Sequence, residues 1–341
     1  MRFEQVSIAA LTHVDAPHRL SSEELEARLE GPMSRLSMSP GVLEQVAGIR
    51  ARRLWDLGTL PSAAATLAGR AVLEQSGIEA EKIGALISTS VCRDYLEPST
   101  ACAVHNALSL GAHCVNFDVG NACLGFIEGM DLVSMMIERG AIDYGMVVDG
   151  EGSQEILEKT IARLCAPEST AAEFRANFAT LTLGSGAAAM ILCRRDLAPN
   201  APRYLGGVKR AATKHHGLCK GKEDFMQTDT KGLLVAGVTL AQQVWAAAKA
   251  ELGWSPEALD HLILHQVSQV HTQTLAQALG LPLERAHITF DELGNIGPAA
   301  VPITLSKAAE SGKMSPGQRI ALLAIGSGLN CEMAEIEWGT L

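Results

Sequence analysis

The stretch VNFDVGNACLGFIEGMDLVSMMIERG, residues 115–140, decides how the chain folds. The apolar run Val115–Val119 predicts a buried strand, the small residues after it predict a sharp turn, and Cys123 then opens an apolar helix that ends near Gly140. Backbone N–H groups and the helix dipole favour a thiolate at a helix N-terminus. The pattern therefore predicts a nucleophilic cysteine with a lowered pKa, and a buried structural cysteine is the alternative.

Outside this stretch, short apolar runs alternate with longer amphipathic segments, which is typical of α/β folds with buried strands. The predicted strands are Ile83–Thr89, Val115–Val119, Tyr144–Val148, Ala187–Leu192, Leu262–Leu264 and Ile320–Ile325. The predicted helices are Ser62–Gln75, Lys231–Leu252 and Ser268–Leu279.

Two segments of the chain resemble each other. EKIGALISTSV (Glu81–Val91) and EALDHLILHQV (Glu257–Val267) align without gaps, and each leads toward a helix. Such an internal repeat indicates two related α/β halves, which we place at residues 1–170 and 171–341. The polar, helical segment 151–178 between them is interpreted as an insertion at the rim of the site.

The composition excludes several classes of protein. The chain has 341 residues, 47% of them hydrophobic, and a net charge of −10, which argues against nucleic acid as the main partner. Its eight cysteines show no zinc-like spacing. The N-terminus lacks a signal-peptide pattern, and charges interrupt each apolar stretch before about 20 residues. We expect a cytoplasmic protein without a metal, a cofactor or a transmembrane segment.

Three further segments carry residues that suit a thiolate nucleophile. His265 ends the apolar strand HLIL, where α/β sites usually lie, whereas the other histidines, including His13 and His271, are expected in loops or on helix surfaces. Asn295 stands between two glycines in ELGNIGPAAVP, and the small residues of AIGSGLN could bring the backbone N–H of Ser327 against a reacting carbonyl.

The motifs FDVGNACLGF, LHQV, GNIGPAAVP and AIGSGLN, in this order and spacing, resemble the type III ketoacyl synthases of the thiolase superfamily over essentially the whole chain. The resemblance implies a five-layered αβαβα fold built from two pseudo-duplicated halves and an obligate homodimer. It also implies a catalytic triad of Cys123, His265 and Asn295, with an oxyanion hole formed by the backbone N–H groups of Cys123 and Ser327.

One position departs from the synthases that initiate fatty acid synthesis. Where those enzymes usually carry Phe before PST, this chain has Glu97 in RDYLEPST, which is similar to the enzymes that condense two long-chain acyl-CoA molecules head to head in olefin biosynthesis. That resemblance implies that Glu97 is the base that removes an α-proton in the partner's site. The alternative is an exposed loop carboxylate that caps the helix beginning near Pro98.

The expected reaction is a non-decarboxylative Claisen condensation of two long-chain acyl-CoA molecules to a 2-alkyl-3-ketoacyl product, a β-keto acid after hydrolysis. Downstream olefin-pathway enzymes are possible partners. The alternatives are a decarboxylative 3-oxoacyl-acyl-carrier-protein synthase III, a thioesterase and a non-catalytic subunit. The basic cluster of Arg50, Arg52 and Arg53 could contact CoA phosphates, or be solvated or paired.

Overall fold

The computed structural model describes residues 1–222 and 225–341, which form strands and helices throughout. The strands are β1 (Val6–Asp15), β2 (His18–Ser21), β3 (Ala51–Leu54), β4 (Ile83–Ser88), β5 (Val115–Asp118), β6 (Tyr144–Glu151), β7 (Gly186–Arg194), β8 (Arg203–Ala211), β9 (Cys219–Lys222), β10 (Phe225–Thr228), β11 (His261–Leu264), β12 (Arg319–Gly326) and β13 (Asn330–Glu337). The helices are α1 (Ser22–Arg28), α2 (Glu30–Arg35), α3 (Val42–Ala47), α4 (Pro61–Ser76), α5 (Thr100–Ala107), α6 (Gly125–Glu138), α7 (Gln154–Cys165), α8 (Ala171–Asn177), α9 (Thr230–Leu252), α10 (Gln269–Leu279), α11 (Phe290–Leu293) and α12 (Ala300–Glu310).

All six predicted strands and all three predicted helices are present, within a few residues of their predicted ends. The helix ends follow local chemistry. The side chain of Ser268 accepts the N–H of His271 at the start of α10, and the left-handed Gly280, at φ 66°, ends that helix. Periodicity and capping residues are local signals, which is why the sequence located these elements.

Apart from β5 at one edge, the main sheet consists of two groups of four strands with the same internal order. Its full order is β11-β12-β13-β8-β1-β7-β6-β4-β5. In the first group β4 pairs with β6 in parallel, β6 pairs with β7 antiparallel, and β7 pairs with β1 antiparallel. In the second group β11 pairs with β12 in parallel, β12 pairs with β13 antiparallel, and β13 pairs with β8 antiparallel. The pair of Ser7 with Arg203 joins the groups. This repeated topology makes β4 and β11, the resembling segments, equivalent.

Helices cover both groups of strands and separate them. Helices α4 and α5 pack on the outer face of the first group, and α9 and α10 on the outer face of the second. Helices α6 and α12 lie between the groups and share one core cluster with strands from both. The layers are therefore helix, sheet, helix, sheet, helix, as the resemblance implied. The central position of α6 explains its apolar sequence, since such a helix is buried on most sides.

Strand pairing locates the change from one group of strands to the other. Strand β7 lies after residue 170 but pairs with β1 and β6, and the second group begins with β8 at Arg203. The change thus falls between Arg194 and Arg203, and the division at residues 170 and 171 stays a prediction. The segment interpreted as a rim insertion forms α7 and α8, which share a core cluster with α1, α2 and α3.

Helix α9 is long and apolar enough to cross a bilayer when only length and composition are considered. The mean hydropathy of its most apolar 18-residue window is 1.2, and 39% of that window is buried. Its side chains Leu240, Val244 and Trp245 pack in the core cluster on the outer face of the second group of strands. The prediction that no stretch meets the length criterion is therefore not confirmed, although α9 packs as a core helix.

A close backbone approach fixes the loop that carries Asn295. A Cβ atom added at Gly184 would lie 1.9 Å from the carbonyl oxygen of Leu293, and the Gly184 N–H donates to the carbonyl of Asn295 at 3.0 Å. Any side chain at residue 184 would push this loop away.

Gly184→Ala should therefore lower the midpoint of thermal unfolding by about 1–4 °C, since overpacking costs on the order of 1–3 kcal/mol. Gly31→Ala is the matched control, because a Cβ there meets no atom within 4 Å. Differential scanning fluorimetry measures both. Equal midpoints for the two variants would contradict the close approach.

Candidate active site

The turn between β5 and α6 presents Cys123. Ala122, just before it, has a φ of 45°, in the left-handed region that residues other than glycine seldom adopt. Helix α6 begins at Gly125, two residues after Cys123, and a Cβ atom at Gly125 would lie 2.6 Å from the carbonyl oxygen of Thr89. The strained turn and the tight start of α6 hold the cysteine at the end of β5, as the sequence predicted. The predicted burial of this strand is wrong, because β5 is an edge strand with Val115 exposed and its other residues half-buried.

A loop from the second half lies against this turn. Strand β12 ends at Gly326, where a Cβ would lie 3.2 Å from the backbone nitrogen of Cys123 and 3.0 Å from the carbonyl oxygen of Asn121. The Asn330 side chain donates to the Asn121 side-chain oxygen at 2.9 Å. Ser327, the next residue after Gly326, is half-buried. The structure therefore brings the Ser327 loop to the Cys123 turn.

His265 directly follows β11 and is only 3% exposed. Its backbone N–H donates to the carbonyl of Leu323 in β12 at 2.7 Å, which fixes where the ring leaves the sheet. Burial lowers the pKa of the imidazole to about 3, His271 lowers it further, and a hydrogen bond with the Gly297 backbone opposes the shift. The ring is therefore neutral at physiological pH.

Asn295 is held by its backbone and by its side chain. Its N–H donates to the carbonyl of Thr182 at 2.9 Å, and its side-chain Oδ1 accepts the N–H of Gly297 at 3.1 Å. The bond from Gly297 shows which atom of the amide is the oxygen, so the Nδ2 group of Asn295 points away from the Gly297 N–H and is the donor. Gly297 lies next to the Asn295 side chain and also acts on the pKa of His265, so both members of the predicted pair are near this residue.

Two buried carboxylates at the end of β6, Asp149 and Glu151, were missed in the sequence. A Cβ at Gly297 would lie 3.5 Å from the carboxyl carbon of Glu151, whose oxygens accept the N–H of Val91 at 2.5 Å and the thiol of Cys92 at 3.2 Å. Burial raises the pKa of Glu151 to about 7, and these hydrogen bonds oppose the shift. The available signal was the acidic DGE directly after an apolar strand.

The predicted lowering of the Cys123 pKa is wrong. Burial raises the pKa of this thiol to about 12, and the nearby Glu151 raises it further, whereas a hydrogen bond to the residue's own backbone only partly opposes them. Desolvation and negative charge therefore outweigh the N–H groups of the turn. The thiol is protonated at neutral pH, so it must lose its proton in the step in which sulfur attacks.

Two histidines differ from the expectation of solvated rings. Burial lowers the pKa of His271 to about 4, and its Nδ1 lies buried without a hydrogen-bond partner among the described residues. His13 lies in β1, with its Nδ1 2.9 Å from the hydroxyl of Ser306. The sequence missed both because the burial of a ring depends on which distant elements pack on it.

Glu97 lies exposed in the loop between β4 and α5. The side chain of Ser99 caps α5, and the carboxylate of Asp118 accepts the N–H groups of Thr100 and Ala101 at 2.9 and 2.8 Å. The N-terminus of α5 is thus satisfied by other residues. The alternative interpretation of Glu97, a helix cap, is wrong.

The three arginines near residue 50 do not form one patch. Arg50 is paired with Asp291 at 2.7 Å and with Glu292 at 3.2 Å. Arg52 is 1% exposed, and its guanidinium donates to Ser22 at 3.1 Å. Burial keeps Arg52 from the phosphates of a surface ligand, so of the two alternatives a CoA contact does not hold for Arg52.

Three carboxylates beneath the Cys123 turn have the spacing of a metal site. Oxygens of Glu128, Asp131 and Glu332 lie within 4.8 Å of one another. The ammonium of Lys209 lies 3.0, 2.6 and 3.3 Å from them. A side-chain cation therefore supplies the positive charge there.

A condensing enzyme of the thiolase fold is the class that this geometry defines, and comparison with known proteins agrees. Residues 249–338 match the family model described as 3-oxoacyl-[acyl-carrier-protein (ACP)] synthase III C terminal. The crystal structure of a cysteine-to-alanine variant of Xanthomonas campestris OleA has a TM-score of 0.98 and 53% sequence identity, over 99% of this chain and 98% of that one. A cysteine-to-serine variant of OleA with bound lauric acid and lauroyl-CoA has a TM-score of 0.97 and covers 98% and 100%.

Two acyl-CoA:acyl-CoA alkyltransferases are similar over their full length. The one from Xanthomonas campestris is 53% identical over 338 residues, which are 99% of this chain and 100% of the relative. The one from Shewanella oneidensis is 36% identical over 350 residues, again 99% and 100%. The chain belongs to the acyl-CoA:acyl-CoA alkyltransferase family.

Other solved forms of Xanthomonas campestris OleA carry single replacements of a histidine or of a glutamate. The replaced glutamate, cysteine and histidine have the same spacing along that chain as Glu97, Cys123 and His265 have here.

Alkylation of Cys123 by iodoacetamide should accelerate about tenfold per pH unit between pH 7 and 9, because only the thiolate reacts and the pKa of the thiol is about 12. Mass spectrometry of the peptide that carries Cys123 follows the reaction, and the exposed Cys102 in the same digest reports loss of the reagent. A rate independent of pH between 6 and 8 would instead indicate a thiolate paired with a protonated His265.

Proposed function

We propose that this protein joins two long-chain acyl-CoA molecules by a non-decarboxylative Claisen condensation. The product is a 2-alkyl-3-ketoacyl compound that hydrolyses to a β-keto acid in long-chain olefin biosynthesis. The observation that carries this proposal is the identity to acyl-CoA:acyl-CoA alkyltransferases over 99% of the chain. The bound lauroyl-CoA of the OleA variant supports a long-chain thioester as substrate.

Cys123 takes up the first acyl group. Since the thiol is protonated and His265 is neutral, His265 accepts the proton as sulfur attacks the thioester carbonyl. The backbone N–H groups of Cys123 and Ser327 hold the oxyanion that develops. The same proton then leaves with the CoA sulfur, so His265 is neutral again when the acyl-enzyme has formed.

The second acyl-CoA must be made into a carbon nucleophile. His265 is neutral and carries one ring N–H, so its proton first shifts to the nitrogen that faces the substrate. Glu97 then removes the α-proton, and this N–H of His265 and the Nδ2 group of Asn295 hold the enolate oxygen. The enolate carbon attacks the acyl group on Cys123, and the Cys123 sulfur leaves. The proton that Glu97 removed balances the proton that the sulfur regains.

A homodimer is part of the proposal because the carboxylate of Glu97 is too exposed to water in a single chain to act as this base. A base for an unactivated α-carbon needs a site without water, where desolvation raises its pKa. In the single chain Glu97 is exposed, and its neighbours Tyr95 and Leu96 are 60% and 88% exposed, which is unusual for adjacent apolar side chains. A partner subunit that covers this loop would bury all three and bring Glu97 to the partner's Cys123.

The remaining expectations belong to the same proposal. We propose a cytoplasmic enzyme that uses coenzyme A thioesters as substrates and no metal or other cofactor. Downstream enzymes of the olefin pathway are the proposed protein partners. The net charge of −10 continues to argue against nucleic acid.

A decarboxylative 3-oxoacyl-acyl-carrier-protein synthase is the second candidate, because residues 249–338 match the C-terminal model of that family. Such an enzyme obtains its enolate by loss of CO₂, so His265 and Asn295 would suffice and Glu97 would have no role. The two candidates differ in their need for a malonyl thioester.

Incubation with a single long-chain acyl-CoA, such as lauroyl-CoA, should yield a β-keto acid, and after loss of CO₂ a ketone, with both alkyl chains. Mass spectrometry of the extracted products detects them. Strict dependence on a malonyl thioester would favour the second candidate, and free fatty acid without ketone would indicate a thioesterase.

Glu97→Gln should still form the acyl-enzyme at Cys123 but lose about 100-fold or more in condensation, because only the second half-reaction uses the base. Intact-protein mass measures acylation and product mass measures condensation. Glu74→Gln, on the exposed face of α4, is the matched control and should retain both. Normal condensation by Glu97→Gln would remove this carboxylate from the mechanism.

Mixed dimers locate the base. Chains with Cys123→Ala and chains with Glu97→Gln, each inactive in condensation, should recover activity when their subunits exchange, since one site of the mixed dimer then has both groups. Proven exchange without recovery would place Glu97 in the site of its own chain.

A further inference from the structure

The Asn121 side chain bridges the two loops that meet at Cys123. Its Oδ1 accepts the amide of Asn330 at 2.9 Å, and its Nδ2 donates to Glu128 at 3.2 Å. Asn121 lies two residues before Cys123, in the first half, whereas Asn330 opens β13, in the second half. One side-chain amide thus connects the Cys123 turn to the loop that contains Ser327.

The neighbours of Asn121 fix the orientation of its amide. The Glu128 carboxylate is paired with the ammonium of Lys209 at 3.0 Å, and a carboxylate only accepts hydrogen bonds. The Nδ2 group must therefore face Glu128, and the oxygen is left to face Asn330. Asp131 accepts a hydrogen bond from the hydroxyl of Tyr204 at 2.7 Å and forms an ion pair with Lys209 at 2.6 Å.

The turn needs such support because its backbone is strained. Ala122 has a φ of 45°, and a conformation of this kind persists only where the surroundings impose it. On the other side, Gly326 allows the two backbones into contact but supplies no side chain to fix their spacing. The bond between Asn121 and Asn330 is a side-chain link across this contact.

We propose that Asn121 is a positioning residue that holds the backbone N–H groups of Cys123 and Ser327 at the separation an oxyanion requires, and that Glu128 sets the orientation of its amide. This inference rests on the proposed function only through its first step, acylation of Cys123. An oxyanion hole depends on the positions of its donors to a fraction of an ångström, so a loosened bridge should slow acylation without weakening the binding of acyl-CoA.

A pair of substitutions tests the bridge. Asn121→Asp places a carboxylate against the carboxylate of Glu128 and removes the donor, so acylation should slow by about 10- to 100-fold with an unchanged KM for acyl-CoA. Adding Glu128→Gln restores a donor that faces the new carboxylate and should recover most of the rate. The exposed Asn200→Asp is the matched control and should acylate normally.

CoA release in a stopped-flow instrument gives the acylation rate. Recovery in the double variant supports the bridge, because a merely structural defect at residue 121 would not be repaired by a second change. Normal acylation by Asn121→Asp, or a double variant as slow as the single one, overturns it.

Asn330→Ala cuts the same link without adding charge and covers the case in which Asn121→Asp does not fold. It should slow acylation by a similar factor but leave alkylation of Cys123 by iodoacetamide within about threefold, since alkylation develops no oxyanion. An equal loss in both reactions, or in neither, overturns the inference. Acylation without any condensation product in the unchanged enzyme would refute the proposed function while leaving this test intact.

Discussion

The contact between Gly326 and the Cys123 turn is the constraint on which the site depends. The cysteine belongs to the first half and Gly326 to the second, and their backbones meet because α6 and α12 are packed between the two groups of strands. Protein interiors are close-packed and resist compression, so two buried helices set this distance more rigidly than a loop could. Catalytic geometry is thus a consequence of core packing far from the thiol.

Burial acts in opposite directions on the two central groups. It raises the pKa of Cys123 to about 12 and lowers that of His265 to about 3, so the resting site holds a thiol and a neutral imidazole. Each step must then move a proton together with the reacting atoms, and fixed donors must replace water around the developing charge. Exclusion of water suits a condensing enzyme, because the acyl-enzyme must outlast the arrival of a second substrate.

Features of the fold and site that depend on neighbouring residues in the sequence could be predicted, and features that depend on distant residues could not. The six strands and the three helices followed from periodicity and glycine positions. The pKa of Cys123, the lowered pKa of His271 and the carboxylate of Glu151 did not, because desolvation is set by residues distant in sequence. A helix terminus can be seen in the sequence, but the buried charge beside it cannot.

Glu97 and Glu151 are both candidates for the base that removes the α-proton, and their hydrogen bonds distinguish them. Glu151 has the more suitable pKa, about 7, but its oxygens accept the Val91 N–H and the Cys92 thiol, both at the start of the loop that leads to Glu97. A base with its lone pairs engaged is poorly placed to take a proton from carbon. Glu151 anchors the loop, whereas the Glu97 carboxylate has no hydrogen-bond partner in the part of the chain that the structure describes. Under the proposed function, rigidity at the base of the loop is what would allow Glu97 to reach a second site accurately.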